Sequence, residues 1–229
     1  MHRTEIRPDI RERILKRRGR PFIHDQLHGE STALVVIDMQ SAFIDPGKPS
    51  AIPEAHGIVP NINRLATAMR TAGGTVCWVY TSFSSATLSD WSAFFGGVYS
   101  AQFSQAVVSN LSEGSEGHQL WPELDIRAAD LQLSKDRFSA FLPGACDLPH
   151  QLRSRKIDTV IICGTVTNVC CESSARDALM QNFSVVMAHD ANAALTDDDH
   201  NASMNAIAQT FGDVMSTHEV TSRLCKQYT

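Results

Sequence analysis

The chain has 229 residues, of which 43% are hydrophobic and 20% are charged, close to the average of globular proteins. This composition excludes a disordered chain, a collagen-like repeat and a coiled-coil rod, and the length suffices to bury a core without disulfides or a metal. Lys and Arg number 20 against 25 Asp and Glu, a formal net charge of −5, which argues against a nucleic-acid-binding protein.

Cysteine spacing and hydrophobic runs exclude further classes. The six cysteines are Cys77, Cys146, Cys163, Cys170, Cys171 and Cys225. They are too sparse for a disulfide scaffold and lack the paired C-x-x-C spacing of a zinc site. No apolar run approaches the ~20 residues of a membrane span, and the N-terminal segment lacks the apolar region of a secretory signal. We expect a cytoplasmic protein with free thiols and no membrane or nucleic-acid partner.

The N-terminal segment differs in charge from the remainder. Residues 1–20 carry eight Arg and Lys against three Asp and Glu, whereas the remainder carries twelve against twenty-two. A short helix is predicted at 7–20, with an apolar stripe of Ile6, Ile10, Ile14 and Leu15. We expect a basic arm at 1–30, either solvated or clasping another subunit, or alternatively docking a nucleic acid or membrane. Residues 31–229 form one predicted domain.

Short apolar runs alternate with helical patterns through this domain. Strands are predicted at 33–38, 75–80, 130–135, 159–164, 184–190 and 213–216, and helices at 57–71, 147–155, 168–181 and 198–210. The alternation predicts a three-layer α/β/α fold with a central, mainly parallel, roughly six-stranded Rossmann-like sheet. Residues 82–122 are rich in Ser, Gly and aromatic residues without a clean period, and we expect a lid or pocket insertion there.

Three reactive residues follow predicted strands. Asp38, Lys135 and Cys170 lie at or just beyond strand carboxyl ends, where open parallel sheets form their sites. Each has a structural alternative: the carboxylate as a helix cap, the amine as a solvated charge, and the thiol as a small core residue. Their shared placement favours a common site.

The segment 164–170 is predicted to place Cys170 at the start of a helix. Thr167 or Asn168 is expected to cap the following helix, with Cys170 in its first turn. Unpaired N–H groups and the helix dipole there favour the thiolate and could stabilise an oxyanion. Cys171 points about 100° away on the helix and is expected in the core; a vicinal disulfide with Cys170 is the alternative.

Three segments carry a family resemblance. ALVVIDMQSAF (33–43), KDRFSAF (135–141) and CGTVTNVCCESSARDA (163–178) resemble, in order and spacing, the signature regions of the isochorismatase-like cysteine hydrolases. That superfamily includes nicotinamidase, N-carbamoylsarcosine amidohydrolase, ureidoacrylate amidohydrolase and biuret hydrolase. The resemblance covers roughly residues 30–220 and implies the isochorismatase-like variant of the α/β fold.

The resemblance implies a role for each motif residue. Cys170 would attack an amide or ureide carbonyl to form a thioester, and Asp38 would accept the thiol proton and pass it to the leaving group. Lys135 would lie beside both, favouring the ionised carboxylate and the thiolate. The family's cis peptide would fall at Thr165–Val166, and the N–H groups of Val166 and Cys170 would form the oxyanion hole.

Two departures from the family pattern narrow the range of reactions that we expect. Nicotinamidases carry an Asp-x-His pair and a further His that hold a metal, but no His lies between His56 and His118 here. Isochorismatases that cleave a vinyl ether lack the cysteine. The resemblance therefore implies a hydrolase of carbon–nitrogen bonds other than peptide bonds, in linear amides, with no metal or cofactor. The expected substrate is a small linear amide, ureide or carbamoyl compound, and the expected assembly is a homodimer or homotetramer.

Four residues are candidates for substrate binding. KDRFSAF is similar to the K-P-R-Y-S-G-F pattern of ureidoacrylate hydrolases, so Arg137 is a candidate for a substrate carboxylate. Its alternative is a surface ion pair with Asp136. Phe43, Phe83 and Trp91 are predicted to wall the pocket, or else belong to the core.

Other functions remain open from the sequence. Within the same chemistry, the substrate could be an N-carbamoyl amino acid, biuret or maleamate. A Cys–His enzyme would need a histidine at the site, and His189 alone stands at a predicted strand end. A thiol redox or binding protein would use Cys170 and Cys171 as a sensor. Asp190, which ends the same strand, is expected to brace neighbouring loops.

Overall fold

A wholly parallel six-stranded sheet forms the centre of the computed structural model, which describes residues 1–225. The strands of the described residues are β1 (Leu27–His28), β2 (Thr32–Ile37), β3 (Thr75–Thr81), β4 (Leu131–Lys135), β5 (Thr159–Thr165), β6 (Ser184–Ala193), β7 (Asp213–Met215) and β8 (Leu224–Cys225). The main sheet has the order β4-β3-β2-β5-β6-β7, and β1 pairs with β8 separately. All six predicted strands are present.

Helices cover both faces of this sheet. Those of the described residues are α1 (Pro8–Arg18), α2 (Ser41–Ile44), α3 (Ala55–Thr71), α4 (Thr87–Asp90), α5 (Ser92–Phe95), α6 (Ala101–Asn110), α7 (Leu148–Ser154), α8 (Glu172–Met180), α9 (Asp197–Ala206) and α10 (Thr217–Arg223). Helices α3 and α10 pack on one face, and α7, α8 and α9 on the other. The predicted three-layer α/β/α architecture is confirmed.

Strand β2 shows that the sheet lies between two hydrophobic cores. All six of its residues are buried, as expected for a parallel strand covered on both faces. Leu34 and Val36 join the core beneath α3, whereas Val35 and Ile37 join the core beneath α7 and α8. Because successive side chains of a strand point to opposite faces of the sheet, this one apolar run contributes to both cores.

The N-terminal segment folds back on the domain. Ile10 and Ile14 of α1 are buried against Ala208, and the helix ends at Gly19, whose φ of 72° suits glycine. The predicted apolar stripe is wrong at Leu15, which is 49% exposed. Leu15 directly follows Ile14, so its side chain lies about 100° around the helix from that of Ile14.

Other boundaries differ from the sequence prediction. The helix expected at 168–181 begins as a π-helical turn, Thr167–Cys171, and a second such turn, Ile207–Phe211, follows α9. Residues 82–122 contain α4, α5 and α6, whose apolar side chains join the core beneath α3. Helix α10 and the β1–β8 pair were not predicted.

No helix among residues 1–225 is long and apolar enough to cross a membrane.

Candidate active site

Three strand ends bring Asp38, Lys135 and Cys170 together. Asp38 follows β2, Lys135 ends β4, and Cys170 lies in the π-helical turn after β5. Lys135 Nζ is 2.8 Å from Asp38 Oδ2 and 3.6 Å from Cys170 Sγ. The side chains of Asp38 and Lys135 are 0% exposed, so their charges interact away from water.

The backbone around Asp38 is held on both sides. Its φ is 52°, in the left-handed region that few non-glycine residues adopt. The Asp38 N–H donates to Val79 O at 2.8 Å, and the Thr165 hydroxyl donates to Asp38 O at 2.7 Å. Neighbouring strand ends on both sides therefore fix the direction of the carboxylate.

Thr81 completes the charged cluster, and sequence reasoning missed it. Lys135 Nζ donates to Thr81 Oγ1 at 2.7 Å, and this hydroxyl donates to Asp38 Oδ1 at 2.9 Å. The Gln40 amide holds Thr81 in turn, by donating to its carbonyl and accepting from its N–H, both at 2.9 Å. Thr81 ends β3, so the strand-end argument that found the other three could have found it.

The electrostatics of the site keep the thiol protonated. Burial raises the pKa of Cys170 to about 12; the positive charge of Lys135 opposes this rise and the negative charge of Asp38 adds to it. Burial therefore acts against the thiolate that the sequence predicts. Burial alone would lower the pKa of Lys135, but the negative charges of Asp38 and Cys170 raise it overall. The site holds a thiol beside an ammonium–carboxylate pair.

The turn that carries Cys170 is built differently from the predicted helix cap. Neither Thr167 nor Asn168 caps it with a side chain. The Thr167 hydroxyl instead bonds His200 Nδ1 at 3.0 Å, and Asn168 is exposed. Cys171 is fully buried, as expected, and both cysteines are free thiols.

The peptide between Thr165 and Val166 is cis. The Val166 carbonyl accepts the N–H groups of Val169 and Cys171, at 3.0 and 3.3 Å. The Val166 N–H donates to no backbone carbonyl within residues 1–225. No backbone carbonyl of the described residues therefore occupies the N–H that the sequence predicts for an oxyanion hole.

Gly164 permits the close approach of β5 to β2. Its φ is 118°, and a Cβ there would lie 2.0 Å from Ile37 O. Because Asp38 follows Ile37 directly, this contact determines the spacing between the carboxylate and the nucleophile turn. Only glycine combines that conformation with that space.

A cavity of about 240 Å³ opens onto Cys170 and Thr81. Phe43 and Phe83 line it as predicted. Trp91, also predicted to line it, lies behind the wall, with its ring centroid 4.6 Å from that of Phe94 and 4.7 Å from that of Phe138. The side chains that do form the wall shield the larger indole from the cavity.

Arg137 combines the two arrangements that the sequence left open. It lines the cavity, and its guanidinium stacks 5.0 Å from the Trp91 ring centroid. It also donates to Asp136 O at 2.8 Å and lies 3.4 Å from Asp136 Oδ2. The guanidinium is thus held at the cavity wall by a stacked ring and a neighbouring acid.

Several polar residues lie outside the charged cluster. Asp190 Oδ1 accepts both the N–H and the hydroxyl of Thr217 at 2.7 Å, so Asp190 braces the start of α10 as expected. His189 does not reach Cys170; it lines a second cavity of about 280 Å³ between the arm and β7. Among residues 1–225, no three His, Cys, Asp or Glu residues form a group able to hold a metal ion.

The comparison with known families identifies the domain. The Isochorismatase domain model matches residues 32–219, from the first strand of the main sheet into α10. The chain belongs to the isochorismatase family.

Isochorismatase-family relatives match most of the chain. YecD of Escherichia coli O157:H7 is 30% identical over 207 residues, covering 87% of this chain and 99% of the relative. The ureidoacrylate amidohydrolase RutB of Variovorax paradoxus is 31% identical over 182 residues, covering 72% and 69%. A cysteine hydrolase structure from Pseudomonas syringae pv. phaseolicola 1448A has a TM-score of 0.76 at 27% identity, covering 90% of this chain and 97% of that chain. The protein is an isochorismatase-family hydrolase.

Proposed function

We propose that this protein is a metal-independent cysteine amidohydrolase acting on a small linear amide, ureide or carbamoyl compound. The proposal rests above all on Lys135, whose ammonium touches both the Asp38 carboxylate and the Cys170 sulfur in a buried cluster. Its similarity to RutB, a ureidoacrylate amidohydrolase, supports cleavage of a carbon–nitrogen bond.

In the acylation step, Cys170 Sγ attacks the substrate carbonyl carbon while Asp38 takes the thiol proton. Burial raises the pKa of Cys170 to about 12 and so makes free thiolate scarce near neutral pH, which favours removal of the proton during attack. Asp38 Oδ2 faces Lys135 at 2.8 Å but accepts no well-aligned hydrogen bond from residues 1–225, which leaves it a lone pair for the proton. The carbonyl oxygen becomes an oxyanion beside the Val166 and Cys170 N–H groups.

Collapse of this intermediate breaks the carbon–nitrogen bond. The nitrogen leaves as ammonia or an amine after taking the proton held by Asp38, and a thioester to Cys170 remains. Asp38, again a carboxylate, takes a proton from a water that attacks the thioester. The carbon–sulfur bond then breaks, the sulfur recovers the proton, and a carboxylic or carbamic acid is released. Lys135 stays protonated throughout and balances the charge of Asp38.

Substrate choice is proposed to lie with the cavity wall. In a substrate that carries a carboxylate, Arg137 would bind that group, and in any substrate Phe43 and Phe83 would contact the rest of the molecule. An N-carbamoyl amino acid, biuret or maleamate would react by the same steps, so these are the alternatives within the class. A cytoplasmic location and a homodimeric or homotetrameric assembly stay predictions.

Ammonia release from a panel of amides tests the proposal. The panel contains ureidoacrylate-like acids, N-carbamoyl amino acids, biuret, maleamate, nicotinamide and unsubstituted primary amides, with wild type beside Cys170→Ala. We expect release from at least one compound that requires Cys170 and survives EDTA. Release that EDTA abolishes, or that persists in Cys170→Ala, would contradict the mechanism.

A thiol redox function is the competing hypothesis, and the electrostatics disfavour it. Redox-sensing cysteines are low-pKa and accessible, whereas burial raises the pKa values of both Cys170 and Cys171. Intact-protein mass after mild peroxide treatment distinguishes the two functions. Rapid, reversible oxidation at Cys170 together with no amide turnover would favour the sensor.

A further inference from the structure

The wall of the active-site cavity has a chemistry that extends the proposed function. Six aromatic rings line it: Phe43, Phe83, Phe94, Tyr99, Phe103 and Phe138. Aliphatic side chains of Ile52, Val107, Leu111 and Leu195 also line it, and Ser50, Thr81 and Asn168 are the uncharged polar residues beside them. Within residues 1–225, Arg137 is the one Lys, Arg, Asp or Glu that lines it, and Asp136 already engages its guanidinium.

Such a wall suits an apolar substrate better than a ureide. A ureide carries several N–H and C=O groups, and those left without partners against apolar walls weaken binding. An alkyl or aryl group gains affinity from the same surface because it leaves water. Resting on the proposed function, we infer that the preferred substrates are primary amides whose acyl group is an apolar chain or ring.

The exposed rim offers a residue for testing this inference. Phe103 is 36% exposed and lines the cavity, so its truncation removes wall surface without opening the core. Val98 is 65% exposed in the same insertion and does not line the cavity, which makes it a matched control. Neither residue contacts the Asp38–Lys135 pair.

The experiment measures kcat/KM along linear primary amides from acetamide to hexanamide, with phenylacetamide, biuret and malonamide for comparison. We expect kcat/KM to rise about three- to fourfold per added methylene until the cavity is filled. Phe103→Ala should lower the ratio of kcat/KM for hexanamide to that for acetamide about tenfold, whereas Val98→Ala should leave this ratio within twofold of wild type.

Two outcomes overturn the inference in distinguishable ways. Turnover that requires Cys170 and favours biuret or malonamide over hexanamide contradicts the apolar substrate and leaves the amidohydrolase standing. Absence of Cys170-dependent turnover on every amide contradicts both.

A separate observation concerns the N-terminal arm and the nucleophile turn. His200 is fully buried, and its Nδ1 bonds Thr167 Oγ1 at 3.0 Å while its Nε2 bonds Thr4 Oγ1 at 3.1 Å. Thr167 is the first residue of the turn that carries Cys170. One imidazole thus joins the arm to the nucleophile turn.

The arm also covers this histidine. The His2 ring stacks on His200 with centroids 4.6 Å apart, and His2 bonds the Ala194 N–H at 2.9 Å and Asp197 Oδ1 at 2.7 Å. Burial, helped by His2 and His189, lowers the pKa of His200 to about 3, so the imidazole is neutral. A neutral ring has one donor and one acceptor, which the two threonine hydroxyls can both match.

From this geometry we propose that His200 is a positioning residue, whose bond to Thr167 holds the nucleophile turn in its reactive orientation while the arm covers the ring. A displacement of about 1 Å at a nucleophile reduces turnover far more than it reduces binding.

Paired substitutions separate the two bonds of His200. An Asn side chain places a polar atom near the Nδ1 position and a Gln side chain near the Nε2 position. We expect His200→Asn, which keeps a partner for Thr167, to retain most of kcat. His200→Gln and Thr167→Val should lower kcat about tenfold with KM within twofold. Thr217→Val, which removes a buried hydroxyl bonded to Asp190, is the control and should lower stability but not kcat.

Alkylation of Cys170 by iodoacetamide, followed by peptide mass mapping, gives a readout independent of substrate. Thr167→Val should change this rate at least threefold, whereas Thr217→Val should not. The proposal is overturned if His200→Gln and Thr167→Val lose only thermal stability and keep wild-type kcat and alkylation rate. It is equally overturned if His200→Asn and His200→Gln lose kcat to the same extent.

Discussion

Lys135 Nζ lies 2.8 Å from Asp38 Oδ2, and neither side chain is exposed to solvent. Removing two charges from water carries a large desolvation penalty, which their mutual attraction and the hydroxyl of Thr81 offset. Each charge is therefore stable in the core only because the opposite charge lies beside it. The same dependence serves catalysis, since the ammonium keeps a carboxylate base beside the buried thiol.

Removal of one member of this pair should impair both stability and activity. Lys135→Met leaves Asp38 buried without its partner, and we expect the free energy of unfolding to fall by about 3–5 kcal/mol. Amide turnover should become undetectable. Denaturant unfolding and ammonia release measure the two effects.

The double variant Asp38→Asn with Lys135→Met provides the control, because it removes both charges. It should recover most of the lost stability and none of the activity. A double variant no more stable than Lys135→Met would show that the pair is not what stabilises this region.

The adjacent cysteines should differ sharply in their effect on turnover. Cys170→Ala should abolish it and leave the fold intact, because Cys170 faces the cavity. Cys171→Ala removes one fully buried sulfur from the core, so we expect a loss of about 1–2 kcal/mol of stability with turnover retained. Ammonia release and thermal unfolding distinguish them, and turnover that survives in Cys170→Ala would reject the nucleophile.

Alkylation of Cys170 should depend steeply on pH. Burial raises its pKa to about 12, above the usual 9.0, so the reactive thiolate is a minor species at neutral pH and grows about tenfold per pH unit. Mass-mapped iodoacetamide labelling of wild type from pH 7 to 10 should show this slope without a plateau. A plateau near pH 8 would mean that the site stabilises the thiolate despite its burial.

Substitution of Gly164 should disturb the fold and the site together. An added Cβ would lie 2.0 Å from Ile37 O, next to Asp38, so Gly164→Ala should reduce stability by more than about 2 kcal/mol and turnover with it. Gly144 also has a positive φ, 85°, but open space for a Cβ. Gly144→Ala should therefore lose about 1 kcal/mol and keep its activity, and equal losses in the two variants would point to backbone conformation alone.

The elements that sequence analysis identified are those with strong local signals. The six strands were apolar runs with turn residues between them, and parallel strands place their carboxyl ends at one edge. Asp38, Lys135 and Cys170 follow from that rule. Thr81, which the analysis missed, ends β3 and follows from the same rule. The analysis also missed His200, whose role arises only when distant segments meet.

The sequence pattern alone determined the α/β architecture. Strands that are buried on both faces of a parallel sheet consist of apolar runs, and these runs alternate with helical patterns along the chain. It also determined which strand ends carry reactive side chains. The rise in the pKa of Cys170 comes from tertiary structure, since the fold buries the thiol and this burial outweighs the nearby ammonium. The tertiary structure likewise placed Trp91 behind the cavity wall and His2 over His200, because such contacts join residues that no local pattern relates.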